Sequence, residues 1–408
     1  MGRRGLSRST ACAAAWGLVA CSACGETPEP PAHAQPAATQ HRVRVAVFNT
    51  SLSQNVPGAL LASLVAGGDA RGRDVATILQ VVRPDVVLLL EVDRDPAVTA
   101  ALLDGYVKAD VGVPKGPLDY PYVYAPPTNT GVPSGLDLDR DGSLGGPGDA
   151  LGFGRFPGHY GMLVLSRYPL AGPVQCAGTR LWRDIPGARL PDDPATDAPG
   201  DWYDDAALQR LPLSSKNHCD VVLSTPGGPL HLLVSHPTPP VFDGPEDRNG
   251  LRNAAELDLW RAYLDGAPLA SEPAGPPQPL PAAARFVLAG DLNADPADGE
   301  TAGAIAALLT HPRLHADVAP TSVGGVAASR RDGGVNGKHK GDPAHDTADF
   351  SEGARGPGNL RADYVLPSAN LSVAGAGVFW PQPGEPYAQA VESSDHRLVW
   401  VDVDLANQ

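Results

Sequence analysis

Four short polar motifs stand in this chain at the ends of β-like runs. An Asn closes Val43 to Asn49, a Glu closes the apolar run Val86 to Glu91, Gly290-Asp291-Leu292-Asn293 follows Arg285 to Ala289, and Ser394-Asp395-His396 lies near the C-terminus. Each motif would be delivered to a sheet edge by the run beside it. Cleaving a phosphoester needs neutralised phosphoryl oxygens, a positioned water and a stabilised leaving oxygen. Carboxylates, amides and an imidazole can supply all three. Glu91 is the first candidate for a metal ligand, because Mg2+ (or Mn2+) takes oxygen donors and often only one or two protein carboxylates. Asn49 would sit beside it, orienting Glu91 or touching the metal. Asp291 and Asn293 are two residues apart, which the period of a strand would place on one side. His396, protonated near neutral pH, could lie against a phosphoryl oxygen.

In this order, the motifs resemble the endonuclease/exonuclease/phosphatase superfamily over about residues 42 to 404. The resemblance implies an α/β fold, a four-layer sandwich of two mixed β-sheets packed face to face with helices outside and the site at a sheet edge. It further implies that Asp291 positions or deprotonates the attacking water, that Asn293 holds a phosphoryl oxygen and that Asp395 completes the second side of the metal site. Asp363, in Arg361-Ala362-Asp363-Tyr364, matches the carboxylate that fixes the far nitrogen of His396. His236, before Pro237-Thr238-Pro239-Pro240, matches the second histidine of the deoxyribonuclease-like and sphingomyelinase-like branches and is implied to assist the leaving group. Tyr160, Lys216 and His218, near the family's variable loops, are candidates for substrate contact. The Pro-x-Trp-x-Asp-Arg signature of inositol-polyphosphate 5-phosphatases is missing, since Leu360 to Tyr364 stands in its place.

With 31 basic against 46 acidic residues the formal charge is −15, which opposes non-specific attachment to nucleic acid. The reading is therefore a phosphodiesterase or phosphatase acting on small or lipid-linked phosphoesters, as a monomer. An extracellular nuclease using a local basic groove is the alternative, and an inactive surface binding module the second. Residues 1–20 have a basic start, the apolar stretch Ala11 to Ala20 and then Cys21, resembling a lipoprotein leader with lipidation at Cys21. The stretch is too short to span a bilayer. Residues 21–41, rich in Pro and Ala, read as a tether. The catalytic domain (42–408) would then work outside the cytoplasm, lipid-anchored in a bacterial envelope, or secreted after cleavage at Ala34.

Export permits a Cys176–Cys219 disulfide, with two buried free thiols as the alternative. Asp137, Asp139, Asp141, Gly142, Ser143 and Leu144 follow positions 1, 3, 5, 6, 7 and 8 of an EF-hand-type loop and suggest a structural Ca2+. The pattern departs at position 12, where Gly148 stands and Asp149 follows. Positioning these groups requires strands at Val43 to Phe48, Val86 to Leu90, Tyr120 to Tyr124, Met162 to Ser166, Asp220 to Ser224, Leu230 to Ser235, Arg285 to Gly290, Ala362 to Leu366 and Arg397 to Val403. Helices are expected at Asp74 to Val82, Pro96 to Leu103, Asn249 to Leu264 and Thr301 to Leu309, with long insertions at about 104–160 and 177–216.

Overall fold

The structure is a computed structural model that describes residues 40–187, 189–269, 277–315, 317–353 and 356–406. The leader, Cys21 and nearly all of the tether lie outside the described residues. The described strands are β1 (Gln40–Asn49), β2 (Val86–Val92), β3 (Tyr122–Tyr124), β4 (Gly161–Ser166), β5 (Gln175–Cys176), β6 (His218–Thr225), β7 (Gly228–Ser235), β8 (Phe286–Asp291), β9 (Ala348–Asp349), β10 (Asn359–Leu360), β11 (Asp363–Pro367), β12 (Ser372–Phe379) and β13 (Leu398–Ala406). One sheet has the order β12-β13-β1-β2-β4-β3, a second β11-β8-β7-β6-β5, and β9 and β10 pair separately. Both large sheets are mixed: β1 and β2 are parallel, as are β7 and β8, while the other pairs are antiparallel.

Residue parity explains the layering. In β8, Val287 and Ala289 join the core between the sheets, and Phe286 and Leu288 join the core under the outer helices. The same alternation separates Leu232 and Val234 from Leu233, and Val365 from Tyr364 and Leu366. A strand buried on both faces reads as a continuous apolar run, which is why these strands were legible. On one outer side the helix Arg248–Leu264 contributes Leu257, Trp260 and Tyr263, while Val75, Ile78 and Leu79 of the helix Ala70–Val82 pack on the other sheet. The result is a four-layer α/β sandwich.

Expected elements recur with shifted ends. The helix expected from Asp74 begins at Ala70, where the Asp69 side chain accepts from Gly72 N–H and caps it. Helices at Ala59–Val65 and Val323–Asp332 and the strand β12 were not anticipated. Glycines hide the last two: Val323-Gly-Gly looks like a turn, and β12 carries Gly375 and Gly377 because Trp400 of β13 lies across it. A Cβ at Gly377 would stand 3.0 Å from that indole ring. The first insertion carries β3, and the second a short helix at Asp205–Leu208. No helix among the described residues is long and apolar enough to cross a membrane.

Candidate active site

Strand direction brings the polar motifs together. β1, β2, β7 and β8 are carried by two parallel pairs, whose C-terminal ends bear Asn49, Glu91, His236 and Asp291. β11 and β13 run antiparallel to β8 and β1, so their N-terminal starts bring Asp363 and His396 to the same end, with Asp363 paired opposite Asp291. Parity then aims them. Asp291 continues the side of Val287 and Ala289, Asp363 that of Val365, and His236 that of Val234. All three point between the sheets.

Asp291 is the hub. It is 1% exposed, and its Oδ2 accepts from Asn49 Nδ2 at 3.0 Å and faces His236 Nε2 at 3.5 Å and His396 Nε2 at 3.6 Å. Its Oδ1 accepts from the Asn293 N–H at 3.0 Å, so an Asx turn holds the carboxylate while the other oxygen stays in the site. Burial pushes the Asp291 carboxyl up to about 6, with the Asp363 charge adding to the rise and His396, Asn49 and the Asn293 N–H opposing it.

His396 Nδ1 lies 2.8 Å from Asp363 Oδ2. Thr347, which belongs to none of the motifs, donates its hydroxyl to the same oxygen at 2.9 Å and receives the Ala362 and Asp363 N–H groups. Burial alone would lower the imidazole's pKa, but Asp363 and Asp291, with Asp395 weaker, raise it to about 10. The ring therefore carries both protons at neutral pH. Although Asp291, Asp363 and His396 are close enough to surround an ion, a cation there would have to displace a tightly held proton.

Glu91 is the better candidate ligand. It sits in the left-handed region (φ 57°) at the bulge where the β2–β4 register shifts. Bulges re-aim side chains next to sites. The carboxylate is half-buried, and its Oε1 accepts from Asn49 Nδ2 at 3.2 Å. Among the described residues its second oxygen takes no hydrogen bond. Burial raises its pKa, opposed by His396, Asn49 and Lys216, while Asp395 adds to the rise; a divalent ion would relieve that penalty. Asn49 spends its oxygen on Ser51 N–H and turns its nitrogen to both carboxylates. Its nitrogen orients Glu91, and the second lone pair of its oxygen is left for a metal. Asp395 is half exposed beside the site, with Oδ1 accepting from Ser51 Oγ at 2.8 Å and lying 4.0 Å from His396 Nε2. An all-oxygen donor set of this kind fits Mg2+ or Mn2+.

Other expectations change. Asn293 does not share a strand side with Asp291, because β8 ends at Asp291 and Asn293 is left-handed (φ 51°). Its amide donates to Pro237 O at 3.1 Å, tying the two loops together. His236 is 2% exposed and held neutral, its pKa pushed well down by burial, Lys216 and His396. Tyr160, left-handed at φ 52°, stands at the rim, stacked with Phe153 and feeling the Glu91 charge. His218 is not among the residues that meet at Asp291. Cys219 and Val221 face between the sheets, so His218 faces the helices, fully buried, with Nδ1 2.7 Å from Ser214 Oγ and its ring 5.2 Å from that of Trp260. Burial lowers its pKa to about 3.

Two buried polar residues of the helix Arg248–Leu264 support the site loops. Asn253 donates to Thr238 O and Leu292 O at 2.8 and 3.0 Å. Both carboxylate oxygens of Glu256 accept backbone N–H groups, from Ser215 at 2.8 Å and Thr238 at 2.6 Å. The signal was present in the sequence, as polar residues at helical spacing on the stripe of Trp260 and Tyr263. Away from the site, Cys176 and Cys219 form a disulfide with sulfurs 2.07 Å apart. In the acidic loop, Asp137, Asp139 and Asp149 bring carboxylate oxygens within 4.8 Å of one another. Asp141 accepts from Ser143 N–H at 2.7 Å.

The profile of the Endonuclease/Exonuclease/phosphatase family matches residues 52–396. No curated protein matches the sequence. Among solved structures, the chain is similar to an endonuclease/exonuclease/phosphatase from Beutenbergia cavernae DSM 12333, with 19% identity, a TM-score of 0.45 and coverage of 90% of this chain and 72% of that one. It is also similar to sphingomyelinase C from Streptomyces griseocarneus (17%, TM-score 0.41, 89% and 99%) and to the human Nocturnin catalytic domain (14%, TM-score 0.44, 90% and 96%).

Proposed function

Because the chain belongs to the endonuclease/exonuclease/phosphatase family, whose members hydrolyse phosphoester bonds, we propose that it is a divalent-metal-dependent phosphoesterase. The observation that carries this is the meeting of Asn49, His236 and His396 on one oxygen of Asp291, with Glu91 beside them.

Glu91, with Asp395, would hold the ion, which supplies charge neutralisation for the phosphoryl oxygens and acidifies water. Asp291 Oδ2 takes the proton of the attacking water. A carboxyl pushed up to about 6 is matched to that task near neutral pH, where it is ionised yet basic. His396, kept doubly protonated by Asp363, donates to a phosphoryl oxygen as charge builds. Neutral His236 contacts the leaving oxygen, and Asn293 keeps an amide hydrogen for the same phosphoryl group. No covalent intermediate is required, since the attacking group is water.

The substrate class is small or lipid-linked phosphoesters, supported by the −15 charge. The enzyme is exported and anchored through Cys21, and Ca2+ occupies the acidic loop. A panel of bis-p-nitrophenyl phosphate, p-nitrophenyl phosphate, sphingomyelin, inositol phosphates and plasmid DNA, assayed with Mg2+, Mn2+, Ca2+ or EDTA, tests this. Hydrolysis of an ester that EDTA abolishes supports the reading. Plasmid DNA as the best substrate would select the nuclease alternative, and no turnover anywhere would select the binding module.

A further inference from the structure

Lys216 precedes β6 and is 6% exposed. A buried ammonium has three donors to satisfy and is strongly penalised by desolvation unless it is paired. Here the only hydrogen bond among the described residues is a long one, 3.5 Å from Nζ to Pro237 O, and no carboxylate oxygen lies within 4.0 Å. The charge is nevertheless held in place. Glu256 grips the backbone on both sides, at Ser215 N–H beside Lys216 and at Thr238 N–H beyond His236. Arg252 of the same helix, bonded to Leu213 O and Pro212 O, fixes the segment before it. Burial lowers the Lys216 pKa, opposed by the charges of Glu256, then Glu91 and Asp291, and its charge in turn acts on His236. A buried Lys side chain with donors left over, its one long bond made to the carbonyl after His236 that also takes the Asn293 amide, has the character of a preorganised anion receptor.

We propose that Lys216 is a substrate-binding residue that receives a non-bridging phosphoryl oxygen on the His236 side of the site, and that Glu256 is the positioning residue that holds it there. This rests on the phosphoesterase reading above. The metal at Glu91 and the ammonium at Lys216 would then clasp the phosphoryl group from two sides, while His396 and Asp291 face it from the joint between the sheets. Glu256 acts through Lys216 and never touches substrate, because both its oxygens are occupied by backbone N–H groups.

The test compares wild type with Lys216→Met, which keeps the stem and removes the charge, and Lys216→Gln, which keeps one donor for Pro237 O. Two readouts are taken with Mg2+ present: kinetics on bis-p-nitrophenyl phosphate, and the rise in melting temperature caused by inorganic phosphate alone. The expected result for Lys216→Met is a fall in kcat/KM of about 10- to 100-fold, the range for one charge-assisted hydrogen bond, with the phosphate-induced stabilisation lost and Lys216→Gln intermediate. Wild-type kinetics and wild-type phosphate stabilisation in a folded Lys216→Met would overturn the proposal. So would failure of both variants to fold, since the ammonium would then be a structural counter-charge. If wild type itself turns over no ester, the phosphoesterase reading fails instead, which keeps the two outcomes apart.

Discussion

Asp291→Asn separates a chemical role from a structural one, because the two predict opposite effects on stability. The carboxyl is pushed up from its ordinary value of 3.8 to about 6, so the folded state disfavours its ionisation. That penalty is absent below about pH 4, grows as pH rises through the window between 3.8 and about 6, and is complete above it. Its size is roughly 3 kcal/mol at pH 7. The asparagine escapes it but misplaces a donor: its nitrogen must face either the Asn293 N–H or the side-chain donors of Asn49, His236 and His396. One such mismatch costs about 1–3 kcal/mol at every pH. The variant should therefore melt below wild type at pH 4.5 and equal or exceed it at pH 7.5. The crossover spans roughly 4 °C for a domain of this size. Its kcat should fall at least ~10²-fold, the lower bound for a lost general base. Calorimetry in EDTA across pH 4.5–8, and bis-p-nitrophenyl phosphate hydrolysis in Mg2+, measure the two effects. Near-normal turnover, or a melting deficit that widens with pH, would refute the reasoning.

Further outcomes follow from the same network. Asp363→Asn should bring the His396 pKa down from about 10, moving the alkaline limb of the kcat/KM profile to lower pH and reducing its plateau about 10- to 100-fold. It should also remove stability that wild type holds fully below pH 6.5 and loses as pH rises through about 10; an unmoved alkaline limb would contradict the dyad. In a Glu91→Gln background, which silences the catalytic ion site, Ca2+ should raise the melting temperature. Asp137→Asn with Asp149→Asn should abolish that rise and Asp141→Asn should spare it. Mass spectrometry of protein from its native envelope should find a diacylglyceryl group on Cys21, and a soluble chain beginning at Gln35 would contradict the anchor.

Much of this site was legible because buried strands advertise themselves. Val86 to Leu90 and Phe286 to Gly290 are apolar on both faces, and the polar residue that ends each run marks the strand end where chemistry can sit. Parity of side chains was equally legible but unused: Cys219, Val221 and Leu223 fix the inward side of β6 and already turn His218 outward. The Asx turn at Asp291 was open as a reading of Asp291-Leu292-Asn293, whereas the bulge at Glu91 was not legible, since it depends on a left-handed residue that no local sequence signal requires. Nor was Thr347, whose loop reaches Asp363 only after the sheets have formed. Glu256 and Asn253 lay in view as polar residues on an apolar helical stripe. Their partners, the backbone N–H and C=O groups of two distant loops, are products of tertiary packing. In the acidic loop, spacing alone favoured Asp141, whereas the chain's path places Asp149 in the cluster and leaves Asp141 bonded to its own turn.

The central claim is that metal-assisted water attacks phosphorus at the hub built on Asp291. Hydrolysis of bis-p-nitrophenyl phosphate in 18O-labelled water with Mg2+ tests it most directly. Attack of water on phosphorus leaves one 18O atom in the p-nitrophenyl phosphate released and none in the p-nitrophenol, with no turnover in EDTA until Mg2+ or Mn2+ is restored. Label in the phenol, or undiminished hydrolysis in EDTA, would contradict it.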